Sequence, residues 1–120
     1  MPLWLPPTAA EQPDLTLIGW AVFKVLAPEI GYPTEHLVGY NERGVEGRVS
    51  SPVQSFDAKN RCGVTSTGRV YRLNGRPGMG SEASYVWDKW RRIWSAEVLE
   101  ELSQQVLDEF TEASRPDGVE

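Results

Sequence analysis

The chain has 120 residues, 40% of them hydrophobic and 24% charged, with a formal net charge of −5, one cysteine and one histidine. That length fits one domain able to bury a core without metal or disulfide support, and a lone cysteine excludes an intrachain disulfide. No run approaches the roughly 20 apolar residues of a membrane span, and the opening MPLWLPPTAAEQPD lacks the basic and apolar regions of a secretory signal, so a soluble cytoplasmic protein is expected.

Taken in chain order, Pro2, Pro6, Pro7 and Pro13 exclude a regular helix or central strand from residues 1–14. A flexible Pro-rich arm is expected there, with Trp4 able to dock it. Residues 15–26, LTLIGWAVFKVL, read as a strand buried on both sides, because Gly19 and the β-branched residues disfavour the competing helix. Simple alternation puts Leu15, Leu17, Ala21, Phe23 and Val25 on one face and Ile18, Trp20, Val22 and Leu26 on the other. Gly19 admits a bend or bulge, and Pro28 ends the element.

Short strands are expected at His36–Tyr40, Val49–Phe56, Arg61–Ser66 and Arg69–Leu73. Pro52 cannot donate to a ladder and marks an edge or bulge. Asp57 to Asn60 and Thr67-Gly68 carry turn residues. Five antiparallel strands over 15–73 would form a small sheet or SH3-like half-barrel. Ser81 is a plausible N-cap, followed by an apolar helical face of Ala83, Val86, Trp87, Trp90, Ile93 and Trp94. Ser95 is a plausible cap for a second helix with the stripe Val98, Leu99, Leu102, Val106 and Phe110, so 81–110 reads as one helix or two. An acidic tail occupies 111–120. The expected fold is α+β, one domain over 15–110.

The charge is segregated: residues 1–42 sum to −4, residues 43–92 to +6 and residues 93–120 to −7. A basic middle between acidic ends sets up a directed field. Arg48, Arg61, Arg69, Arg72 and Arg76 lie on or beside the meander, interleaved with Phe56 and Tyr71, a pattern that could bind single-stranded nucleic acid or another phosphate ligand. Gly78, Gly80 and Ser81 belong to a G-x-G-x-x-A stretch before a helix, where backbone N–H groups favour an anion. The meander setting argues against a dinucleotide fold. Against nucleic acid stands the acidic whole, with a pI near 4.9, and the acidic C-terminal helix could neutralise the basic sheet.

Catalysis has little support. His36 and Cys62 fall on different strands with no spacing that brings them together, and each is more often structural than catalytic. No catalytic residue, metal site or cofactor is expected. Tyr85, Trp87, Trp90 and Trp94, with Arg91, form an aromatic-rich helix of the kind that anchors interfaces, and an acidic second helix could steer a basic partner. The expected function is therefore a non-catalytic interaction module, an adaptor, inhibitor or regulator of a protein partner. Nucleic-acid or phosphate binding is the alternative, and a small enzyme comes last. Partner identity and oligomeric state are not legible in the sequence.

Overall fold

A computed structural model describes residues 13–115, so the expected arm before Pro13, Trp4 included, and the end of the tail lie outside the described residues. Seven strands and two helices follow one another as β1 (Asp14–Leu26), β2 (Thr34–Asn41), β3 (Glu46–Val49), β4 (Val53–Asp57), β5 (Cys62–Thr65), β6 (Val70–Leu73), α1 (Ser81–Trp94), β7 (Glu97–Glu101) and α2 (Ser103–Ala113). The fold is mixed α+β, and among the described residues no helix is long and apolar enough to cross a membrane.

The 13-residue β1 organises the sheet. Antiparallel β2 lines one side of it, from Ile18 opposite Tyr40 to Val25 opposite Thr34. The other side is shared: the first half pairs in parallel with β6, Asp14 opposite Val70, and the second half pairs antiparallel with β7, Lys24 opposite Glu100. Beyond β2 lies β3; beyond β6 lie β5 and then β4. The sheet is thus mixed and seven-stranded, where five antiparallel strands with SH3-like curl were expected. Part of the difference lies at Pro52. The third expected strand breaks across Ser50–Pro52 into β3 and β4, and Ser50 turns its N–H to the Leu37 carbonyl (2.8 Å).

The register of β1 against β2 shifts between Ile18 and Ala21, and Gly19 sits there with φ +51°. A bulge adds one residue and inverts the alternation beyond it. Leu15, Leu17, Trp20 and Val22 consequently share one core with Leu37, Tyr71, Leu73, Val106 and Phe110. Ala21, Phe23 and Val25 face a second core with Val38, Ala83 and Trp87. This corrects the assignment by simple alternation, which had joined Leu15 and Leu17 to Ala21.

One helix covers each face. α2 is tied to β1 at its start, where the Leu102 N–H donates to the Val22 carbonyl (2.8 Å) and the Val22 N–H donates to Ser103 Oγ (2.9 Å). α1 comes down onto β3 at Gly47, where a Cβ would lie 2.5 Å from the Glu82 carbonyl oxygen. The loop entering α1 crosses the bulge, and the Gly78 N–H donates to the Trp20 carbonyl (2.9 Å).

The second expected helix begins later than the sequence indicated. α1 closes with Ser95 in the left-handed region (φ 50°), its N–H donating to Arg92 O and the Ala96 N–H to Arg91 O, the paired bonds of a Schellman motif. The chain then extends as β7 along the vacant side of β1, so Val98 joins the α1 core and Leu99 is exposed. α2 starts at Ser103 and continues through Ala113, into the stretch expected to be tail.

Gly19→Ala is expected to destabilise the protein by about 2–5 kcal/mol. The left-handed backbone alone costs a Cβ about 1–2 kcal/mol, and overpacking adds about 1–3, because this Cβ would stand 2.9 Å from the Gly78 carbonyl oxygen. Urea unfolding of the variant beside the wild type measures the difference.

Candidate functional site

The aromatic face of α1 runs from the core to the surface. Trp87 stacks on Phe23 with ring centroids 4.6 Å apart and planes 13° from parallel. Trp90 stacks on Trp87 at 5.4 Å, and Trp94 follows at 6.2 Å. Exposure rises along this ladder. Trp87 is 3% exposed, Trp90 half-buried and Trp94 38% exposed. Tyr85 lies off the ladder on the outward side, at 66%.

Of the residues expected to meet a partner, Tyr85 and Trp94 are therefore at the surface, Trp90 is partly so, and Trp87 belongs to the core. Arg91 is half-buried, and its Nε has no hydrogen-bond partner among the described residues. Ile93, assigned from the sequence to the buried stripe, is 70% exposed. It lies at the margin of that stripe, farther round the helix than Val86, and that offset was the available signal.

Under Trp90 and Trp94 is a hollow of about 250 Å3 walled by Ile30, Val49, Ser50, Pro52 and His36. His36 is 1% exposed and its ring meets Trp90 at 4.6 Å. Its Nδ1 lies 2.8 Å from the Ser50 carbonyl, which can only accept, so Nδ1 carries the proton. Nε2, 2.7 Å from Thr34 Oγ1, then accepts from that hydroxyl. Burial holds the imidazole below its ordinary pKa, the Ser50 carbonyl opposing it with less effect. Both nitrogens are engaged inside the protein, which makes His36 a structural residue. Cys62 is also buried, and burial pushes its thiol above the ordinary value. It lies on β5, which is not a neighbour of β2 in the sheet. Among the described residues no group of three or more His, Cys, Asp and Glu is placed to hold a metal.

The basic residues of the meander are divided by the fold. Arg48 reaches Glu46 Oε1 (2.9 Å) and donates to the Tyr71 hydroxyl (3.1 Å). Arg61 donates to the carbonyls of Leu73 (3.3 Å) and Gly75 (2.8 Å), its guanidinium 5.3 Å above the Phe110 ring. Arg69 is 7% exposed. Arg72 and Arg76 are exposed. Tyr71 is 2% exposed, which removes its ring as an open platform for a base, while Phe56 is half-buried with its ring toward Phe110 at 6.4 Å. Gly78 commits its N–H to Trp20, while Gly80 caps α1 without a side-chain bond and Ser81 opens the helix.

Compared with protein-family models, with curated proteins and with solved structures, the chain gave no significant match in any of the three.

Two outcomes follow from this geometry. The fold holds His36 neutral, so below its ordinary value of 6.5 the unfolded chain binds more protons than the native one, and stability falls as the pH drops. Denaturant midpoints between about pH 7.5 and about pH 5.5, where carboxylates stay ionised, should decline for the wild type and decline less for His36→Gln. The second outcome separates core from surface on one helix. Trp87→Ala should cost about 3–5 kcal/mol of stability, and Trp94→Ala less than about 1.5, both read from urea unfolding.

Proposed function

We propose that the protein is a non-catalytic interaction module that holds a protein partner against the C-terminal half of α1. The observation that carries this reading is the pair Ile93 and Trp94, 70% and 38% exposed, at the end of a helix whose earlier turns are anchored in the core through Ala83 and Trp87. Large apolar side chains grouped on a rigid element are the usual mark of a contact surface. Trp94 is backed by the stack through Trp90 and Trp87 to Phe23, so little side-chain freedom remains to be lost on binding, which favours affinity.

Charge supplies orientation. Lys89, Arg91 and Arg92 lie toward the end of α1, while Glu97, Glu100 and Glu101 on β7, the next element in the chain, carry the opposite sign. A partner with apolar anchors and a two-signed rim would be steered into one orientation by this arrangement. Adaptor, inhibitor and regulator are the roles open to such a module.

The double variant Ile93→Ser, Trp94→Ala tests the reading. Against a partner captured with the wild-type chain, purified and reassembled, it should bind at least about tenfold more weakly, equivalent to about 1.4 kcal/mol or more, with unfolding close to the wild type. Retained affinity in the double variant would remove α1 as the contact. Sedimentation of the free chain checks the other occupant, since a concentration-dependent dimer lost in the same variant would identify the partner as a second copy.

A further inference from the structure

We propose a second site, independent of α1, for a small organic phosphate monoester at the junction of β1, β6 and the turn between β4 and β5. A hollow of about 350 Å3 there is lined by Thr16, Asn60, Arg61, Arg72, Leu73 and Asn74. Five of these six side chains can donate a hydrogen bond, and no carboxylate is among them. Register explains part of the convergence, because Thr16 lies opposite Arg72 across the parallel β1–β6 pair. Arg61 is brought in by its turn, where it takes a positive φ of 53°.

The two guanidiniums differ in a way that suits a binding site. Arg61 is fixed, its Nε and Nη2 donating to Leu73 and Gly75 and its guanidinium beside Phe110 on the α2 side of the sheet. It therefore walls the hollow, and Arg72, exposed between Tyr71 and Leu73, is the guanidinium left to meet a ligand. Among the described residues the side chains of Arg72, Asn74 and Thr16 have no hydrogen-bond or ion-pair partner. Among the described residues, Asp57 and Asp14 are the carboxylates whose charge reaches this end of the sheet, acting with Arg72 on Cys62. Asp57 accepts from both the backbone N–H (3.2 Å) and the side-chain Nδ2 (2.7 Å) of Asn60, and Asp14 sits two residues before Thr16 on the same strand.

A phosphate dianion offers three oxygens to donors arriving from separate directions, and arginine is the side chain best matched to it. The volume exceeds that of a bare phosphate and reaches the lower range of small-molecule pockets, leaving room for an organic group. A nucleic-acid strand is disfavoured by the same structure. Arg48 and Arg69 are withdrawn from the surface and Tyr71 is buried, so neither a continuous basic track nor a stacking platform extends from the hollow.

The experiment is an amide NMR titration of the full chain at low salt, with inorganic phosphate in one arm, glycerol phosphate in a second, and sodium chloride at matched ionic strength in a third. Saturable shifts are expected at Thr16, Asn60, Arg61, Arg72 and Asn74, with tighter binding of the ester than of inorganic phosphate. Arg72→Gln and Asn74→Asp, both at exposed positions, should each weaken binding by at least about tenfold. Arg76→Gln, exposed but outside the hollow, removes charge without a hydrogen bond and should weaken binding clearly less than Arg72→Gln does. Shifts that fail to saturate, that chloride reproduces, or that persist in Arg72→Gln overturn the site. Equal affinity for the two phosphates overturns the organic ligand in favour of free phosphate. None of these results bears on Ile93 and Trp94, so the α1 reading stands or falls separately.

Discussion

One extra residue in one strand governs this architecture. With Gly19 bulged, β1 presents Leu15, Leu17, Trp20 and Val22 to the core under α2, and Ala21, Phe23 and Val25 to the core under α1. Without that inversion, Leu15 and Leu17, paired with Tyr71 and Leu73 across β6, would share their face with Ala21 and Phe23, and Trp20 and Val22 would turn to the other side. The bulge also sets the approach of α1. Because Gly19 has no Cβ, the Gly78 carbonyl can pass close above it, and the Gly78 N–H closes onto Trp20. Gly47 repeats the device at Glu82. Two glycines thus set how deeply the helix sits, and that depth brings Trp87 onto Phe23 and leaves Trp94 at the rim.

What the sequence revealed follows the range of the forces involved. β1 and α1 were legible because local composition and period dominate in long elements, and the turns at Asp57–Asn60 and Gly68 were legible from their side-chain chemistry. A bulge at Gly19 was foreseen, but counting in twos cannot carry a face assignment through it. The direction of β6 had no local signature. β7 was misread as helix because EVLEE contains good helix formers, and a vacant side of β1, made by residues more than 70 positions earlier, decided the matter. Tertiary pairing overrides weak local preference in such a short segment.

The site was legible in its residue types and obscured in its partners. Five arginines in a row of strands read as one basic surface, yet the fold gives each a different task. Arg48 is held between Glu46 and Tyr71, Arg61 braces the end of the sheet against α2, and Arg69 is buried. Charge counted along a chain therefore overstates the field at any one face. Conversely Thr16, Asn60 and Asn74 carried no signal alone, and only the register and the turn bring them beside Arg72.

The strand edge offers a last constraint on where a partner can dock. Among the described residues β7 pairs with β1 alone, and an open side of this kind is a template for another strand. Here Glu97, Glu100 and Glu101 are exposed along it, and the register shift beside Lys24 interrupts the regular ladder near Leu99. Like charges and a bulge both discourage a second copy from adding its own β7 to this one. With edge pairing between copies discouraged, the contact proposed at the end of α1 would rest on side-chain contacts rather than on backbone pairing. The acidic strand lies next in the chain to the basic helix end, so charges of both signs stand beside the proposed contact.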